Sequence, residues 1–127
     1  MSHIDHVGIS VRDFDKSIAF YKEALGALGI KCLTEFEHEG KRHAGFGTGD
    51  KAFFWLSSGN RTRGELHIAF TAKSRSEVHA FYSIALSVGG RDNGKPGLRP
   101  HYHANYYGAF VHDPDGHNIE AVCHGPE

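Results

Sequence analysis

Apolar residues alternate with small or polar ones along Asp5-His6-Val7-Gly8-Ile9-Ser10-Val11, and again along Leu66-His67-Ile68-Ala69-Phe70-Thr71-Ala72. That is the period of a half-buried strand. His6 and His67 lie 61 residues apart, and the same offset carries Asp13 onto Ser74, Phe20-Tyr21 onto Phe81-Tyr82, Leu25 onto Leu86 and Gly29 onto Gly90. An ungapped internal repeat of this kind marks two copies of one structural unit. After the strand, each copy turns helical. Phe14, Ile18, Tyr21, Leu25 and Leu28 recur at helical spacing and make one buried stripe. Asp13 is the N-cap of the first helix, and Ser74-Arg75-Ser76-Glu77 is a capping box for the second. Gly29 and Gly89-Gly90 are C-terminal stops.

Shorter strands follow each helix. In the first copy they are expected over 30–37, 42–47 and 52–57, with turns at Glu39-Gly40 and Gly49-Asp50. In the second copy, 89–100 reads as loop-rich, and strands are expected over 102–112 and 117–124 around the turn Asp113-Pro114-Asp115-Gly116. Ser58–Gly64 is polar and glycine-containing and reads as the joint. Neither copy is large enough to bury its own faces, so 1–127 is one domain, with module one at about 3–58 and module two at about 65–124.

Composition then narrows the classes. The hydrophobic fraction of 39% and the absence of low-complexity tracts describe a globular chain. A net charge of −1 gives no basic stripe for nucleic acid. Cys32 and Cys123 are far apart and form no CxxC pair, so a reducing, cytoplasmic setting is expected. The first residues carry Asp5 and Arg12 without a long apolar stretch, unlike a signal peptide, and no run reaches membrane-helix length. Eleven histidines, by contrast, are many for 127 residues.

Strand alternation sorts them. Val7, Ile9 and Val11 share one face, and His6, Gly8 and Ser10 the other. Leu66, Ile68 and Phe70 oppose His67, Ala69 and Thr71 in the same way. In the last strand Glu120 leaves the face of Ile119, Ala121 and Cys123. One such histidine is ordinarily a hydrogen-bonded strand residue. Two at equivalent places of a repeat, joined by a carboxylate, make the His₂-carboxylate set that holds non-haem Fe(II) or catalytic Zn²⁺ with positions left open. His6, His67 and Glu120 are therefore the candidate metal ligands. His112 and His117 flank a tight turn and are expected at the surface; His38, His43, His79 and His124 receive no role.

At these residues the sequence resembles the vicinal oxygen chelate superfamily, which includes glyoxalase I, extradiol dioxygenases and bleomycin- or fosfomycin-resistance proteins. Ile4–Asp13 followed by Ser17–Tyr21 resembles its first module, Leu66–Phe70 the start of its second, and Asp113–Glu120 its closing turn and strand. The resemblance implies an α+β fold in which two tandem βαβββ modules form a curled mixed sheet around an open metal-binding cleft. It carries the ligand roles onto His6, His67 and Glu120. A fourth glyoxalase-type ligand would fall near Trp55, which cannot ligate, so the set is closer to the extradiol dioxygenases. Those enzymes also use an acid–base histidine and a tyrosine beyond the metal ligands. Here Arg99-Pro100-His101-Tyr102-His103 and Tyr106-Tyr107 crowd such groups together. His101, Tyr102 and Tyr107 are the catalytic candidates, and Arg99, His103 and Trp55 the substrate-binding ones, Arg99 as an oxyanion anchor. The other reading is a polar loop packing aromatics over a sheet edge. Tyr107, Ala109 and Val111 share one face and Gly108 and Phe110 the other, with the ion-facing side open.

The function expected is that of an enzyme dependent on a divalent metal (Zn, Fe, Mn, Ni or Co). Its substrate would be a small molecule that chelates the ion through two neighbouring oxygens, in a dioxygenase- or lyase-like step. The alternative is a non-catalytic small-molecule binding protein of the bleomycin-resistance type. Metal loss in acid is expected, since the ligands must be deprotonated. A homodimer is expected, with no nucleic-acid or membrane partner, and the site lies either within one chain or across two.

Overall fold

The computed structural model describes residues 3–126. The element order is β1 (Val7–Val11), α1 (Phe14–Gly26), β2 (Lys31–His38), β3 (Lys41–Thr48), β4 (Lys51–Ser58), β5 (His67–Thr71), α2 (Arg75–Ser87), β6 (Arg91–Leu98), β7 (Tyr107–His112) and β8 (Asn118–Cys123). The fold is α+β, built from two tandem βαβββ modules. The two helices have 13 residues each and begin 61 residues apart, at the repeat offset. Asp13 caps α1 by accepting from the Lys16 amide, and Ser74 caps α2 by accepting from the Glu77 amide. Glu77 reaches back one residue further than a capping box requires, to the Lys73 amide at 2.8 Å.

The strands form two four-stranded mixed sheets, one per module, β1-β4-β3-β2 and β5-β8-β7-β6. In each, the first strand pairs parallel with the last and the remaining pairs are antiparallel. The Glu39-Gly40 turn has both residues at positive φ, 51° and 80°, the geometry that suits a two-residue hairpin. The stretch 89–100 is not a loop: β6 occupies most of it. Gly94 and Pro96 hide the strand pattern, and register shifts on either side of Gly94 break its pairing with β7. As an edge strand, β6 tolerates a proline that an interior strand would not. The opposite correction applies to 102–106, which turns rather than extends. Tyr102 N–H donates to Arg99 O and Tyr106 N–H to His103 O, so β7 begins only at Tyr107.

Val11, Ile9 and Leu56 from the first sheet, Phe70, Val111 and Ile119 from the second, and both helices share one core. Phe54 meets Phe70 edge-to-face across the modules, centroids 5.2 Å apart. The inner faces of both sheets line this core. A second link joins the modules. Tyr21 of α1 donates through its hydroxyl to Asp113 Oδ2 at 2.5 Å, and Asp113 Oδ1 accepts from the Asp115 and His117 amides, 2.9 Å each. The Arg12 amide donates to Asp115 Oδ2 at 3.1 Å. His117 is not at the surface as expected; it is 3% exposed, because the turn folds it inward. Its Nε2 has no partner among the described residues, and the structure offers no account of that.

Candidate functional site

The open face of the second sheet carries two of the candidate residues, His67 and Glu120. The register sets Ala69 beside Glu120 and Glu120 beside Phe110, one row in from the row His67, Asn118 and His112. Glu120 lies on the interior strand β8 and is fully buried, whereas the His67 side chain is 47% exposed. His67 Nε2–H donates to Glu120 Oε1 at 2.8 Å. The Tyr106 hydroxyl donates to Glu120 Oε2 in a close contact. Burial, and then the Glu120 hydrogen bond and charge, push the Tyr106 hydroxyl well above the usual phenol range, so it stays a donor. Gly108 leaves room for this pair: a Cβ there would stand 3.0 Å from Glu120 Oε2.

His6 is elsewhere. It precedes β1 on the open face of the first sheet and is 58% exposed. Its Nδ1–H donates to Asp5 Oδ1 at 2.7 Å, and Lys51 Nζ holds the same oxygen at 2.6 Å. A carboxylate on Nδ1 fixes the tautomer that keeps a lone pair on Nε2, the arrangement common for metal-ligating histidines. Two of the three sequence-predicted ligands thus come together and the third does not. Among the described residues of one chain, no group of three His, Cys, Asp or Glu side chains is placed to hold an ion. With Val7 opposite Phe54 and Gly8 opposite Trp55, Trp55 occupies in module one the place Glu120 holds in module two. Module one offers an imidazole and no carboxylate there. Trp55 lies across Gly45 and meets Phe36 edge-on, and Phe36 stacks on His43.

The other predicted residues divide. Tyr107 points to the helix side: its hydroxyl shares a hydrogen bond with His79 at 2.6 Å and Arg75 covers its ring. The tyrosine on the carboxylate is Tyr106, which the sequence reading passed over. Its signal was the phase of β7. Ala109 and Val111 are the apolar, core-facing set, so Tyr106 shares the open side with Gly108 and Phe110. His101 packs at a tilt on Tyr102, and Tyr102 in turn on Tyr106, with Tyr106 alone of the three bonded to Glu120. His103 pairs with His124 at 2.6 Å, and both rings stand edge-on to Tyr106. The Arg99 guanidinium lies over Phe110 but donates to Lys95 O and Gly97 O, at 2.8 and 2.9 Å.

As a test of metal fit, the donor chemistry is apt but incomplete within one chain. Nε2 of the half-exposed His67 and Oε1 of the buried Glu120 face one another, giving two of the three donors such a site uses.

Known proteins share this architecture. A glyoxalase/bleomycin resistance protein from Albidiferax ferrireducens is 26% identical, with a TM-score of 0.77 over 96% of this chain and 99% of that one. A glyoxalase/bleomycin resistance protein/dioxygenase family enzyme from Burkholderia phytofirmans has a TM-score of 0.71 at 17% identity, over 98% and 100%. A glyoxalase I variant from Zea mays has a TM-score of 0.72 at 24% identity; the match covers 94% of this chain and 43% of that longer one. No curated protein matches the sequence. The family model described as Glyoxalase/Bleomycin resistance protein/Dioxygenase superfamily matches residues 3–121, nearly the whole chain, and the chain belongs to that superfamily.

Proposed function

We propose that this protein is a divalent-metal-dependent enzyme acting on a small oxygenated molecule, with a site built from His67 and Glu120 of one copy and His6 of a second. The observation that carries the reading is the pairing of His67 Nε2 with Glu120 Oε1 on an open sheet face. The separation of His6 from the His67–Glu120 pair within one chain favours a shared site. A twofold-related copy would bring the first sheet of one chain over the second sheet of the other. Zn, Fe, Mn, Ni and Co all suit two imidazoles and a carboxylate. Such an ion supplies Lewis-acid polarisation to a substrate chelating through two neighbouring oxygens. The protein's own groups orient: Tyr106 holds Glu120 Oε2, and Asp5 holds the His6 ring.

The reaction class on this reading is dioxygenase- or lyase-like. One observation favours the second reading, a binding protein without chemistry: both Glu120 oxygens already have partners in a single chain. Uptake of metal separates the two. Untagged protein stripped with chelator and dialysed against micromolar Zn, Fe, Mn, Ni or Co is expected to retain about one ion per chain, as a dimer in sedimentation. A chain that sediments as a monomer and takes up none of the five ions contradicts the enzyme reading.

A further inference from the structure

We infer that a polar recess beside His67 receives a neutral arm of the substrate bearing hydroxyl or amide groups. This rests on the reading of the His67–Glu120 face as the reaction site and adds the chemistry of what lies next to it. The recess has a volume of about 380 Å³, and His67, Asn93, His112, Asn118 and Glu65 are among its lining residues. That is near the lower end of small-molecule sites, enough for part of a substrate rather than all of it.

Its hydrogen-bonding inventory is set by the strands. The register places His67 opposite Asn118 and Asn118 opposite His112, one polar row across β5, β8 and β7. Asn93 reaches this row from β6, its Nδ2 donating to Asn118 Oδ1 at 3.2 Å. That bond consumes one donor and leaves both Asn118 Nδ2 protons and the Asn93 carbonyl oxygen uncommitted. His112 Nδ1–H donates to Gly116 O at 3.2 Å, which leaves Nε2 as an acceptor. Donors and acceptors therefore alternate along the row, the pattern that a hydroxyl or amide satisfies in both directions.

Charge argues against an anion. Glu65 is in the lining and no lysine or arginine is among the lining residues; Arg91, opposite His112 on β6, stands at the edge beside Gly116. Arg99, the anchor expected for a carboxylate, already donates to two backbone carbonyls. An anion seated among Glu65, Asn93 and Asn118, away from that edge, loses hydration and meets a carboxylate with no cation in direct contact.

The test is titration of untagged protein by ¹H–¹⁵N NMR, following the side-chain amide signals of Asn93 and Asn118. The probes are N-acetylglucosamine, which is neutral with hydroxyls and an amide, then acetate and ethylammonium. N-acetylglucosamine is expected to shift both signals saturably, and Asn93→Ala to weaken it about five- to tenfold through lost hydrogen bonds. Acetate and ethylammonium are expected to bind at least about tenfold more weakly. No saturable shift with N-acetylglucosamine, or equal or tighter binding of either ion, overturns the inference. Intact probe binding in a wild-type protein that takes up no metal removes the metal site and leaves the recess standing.

Discussion

Asp113→Ala is expected to lower the melting temperature by on the order of 10 °C or more, a loss of about 3–5 kcal/mol. Asp113 is 1% exposed and serves three donors from two modules: the Tyr21 hydroxyl and the amides of Asp115 and His117. Removing the carboxylate leaves all three without an acceptor, the Tyr21 hydroxyl and the His117 amide buried, which is costlier than losing the bonds alone. Tyr21→Phe removes one donor and keeps the ring in its aromatic cluster with Phe20, Phe46 and Phe54, so it is expected to cost only about 1–2 kcal/mol. The pair also sets a pH dependence. Burial, and then the charge of Asp113, push the Tyr21 hydroxyl well above its usual 10.0. The folded chain keeps this proton where the unfolded chain releases it. The contribution is therefore present below the unfolded value and is lost as pH rises through and beyond it. Urea melts across the alkaline range should show wild type falling more steeply than Tyr21→Phe; parallel curves would contradict the assignment.

His67→Ala is expected to weaken metal uptake more than about a hundredfold, beyond the effect typical of an outer partner, while the fold persists. The side chain is 47% exposed, and its ring contributes little to the core. Tyr106→Phe removes the hydroxyl that orients Glu120, so its expected loss is about 10- to 100-fold. Equilibrium dialysis with elemental analysis, alongside circular dichroism of the same samples, reads both. Unfolding of His67→Ala would make the residue structural. A Tyr106→Phe variant with wild-type metal affinity would separate the tyrosine from the site.

Much of this architecture is legible in the pattern of residues, because period and capping are local. The two helices begin and end at the repeat offset, and Asp13 and Ser74 cap them as their chemistry requires. Alternation placed Val11, Phe70 and Ile119 in the core and His67 on an open face. Two things escaped it. The edge strand β6 carries Gly94, Pro96 and Gly97, which erase alternation, and only pairing with β7 reveals it. The direction in which the modules pack is also silent in the sequence. Two amphipathic βαβββ units with one periodicity can meet by their open faces or by their helical sides, and the apolar stripe reads the same in both. The helical side won, sharing one core, and this separates His6 from His67 and Glu120. The departure at Trp55 was legible, and the register explains it: Trp55 fills the place Glu120 holds in the other module.

The central claim, a metal site completed by a second copy, is tested by mixing two inactive variants. His6→Ala lacks one donor and Glu120→Gln another, so neither alone should hold an ion. After co-unfolding and refolding in equal amounts, random pairing gives mixed dimers in which one of two sites is whole, so about a quarter of the wild-type metal content is expected to return. Metal content that stays at zero in the mixture, with wild type loaded under the same conditions, would contradict the shared site.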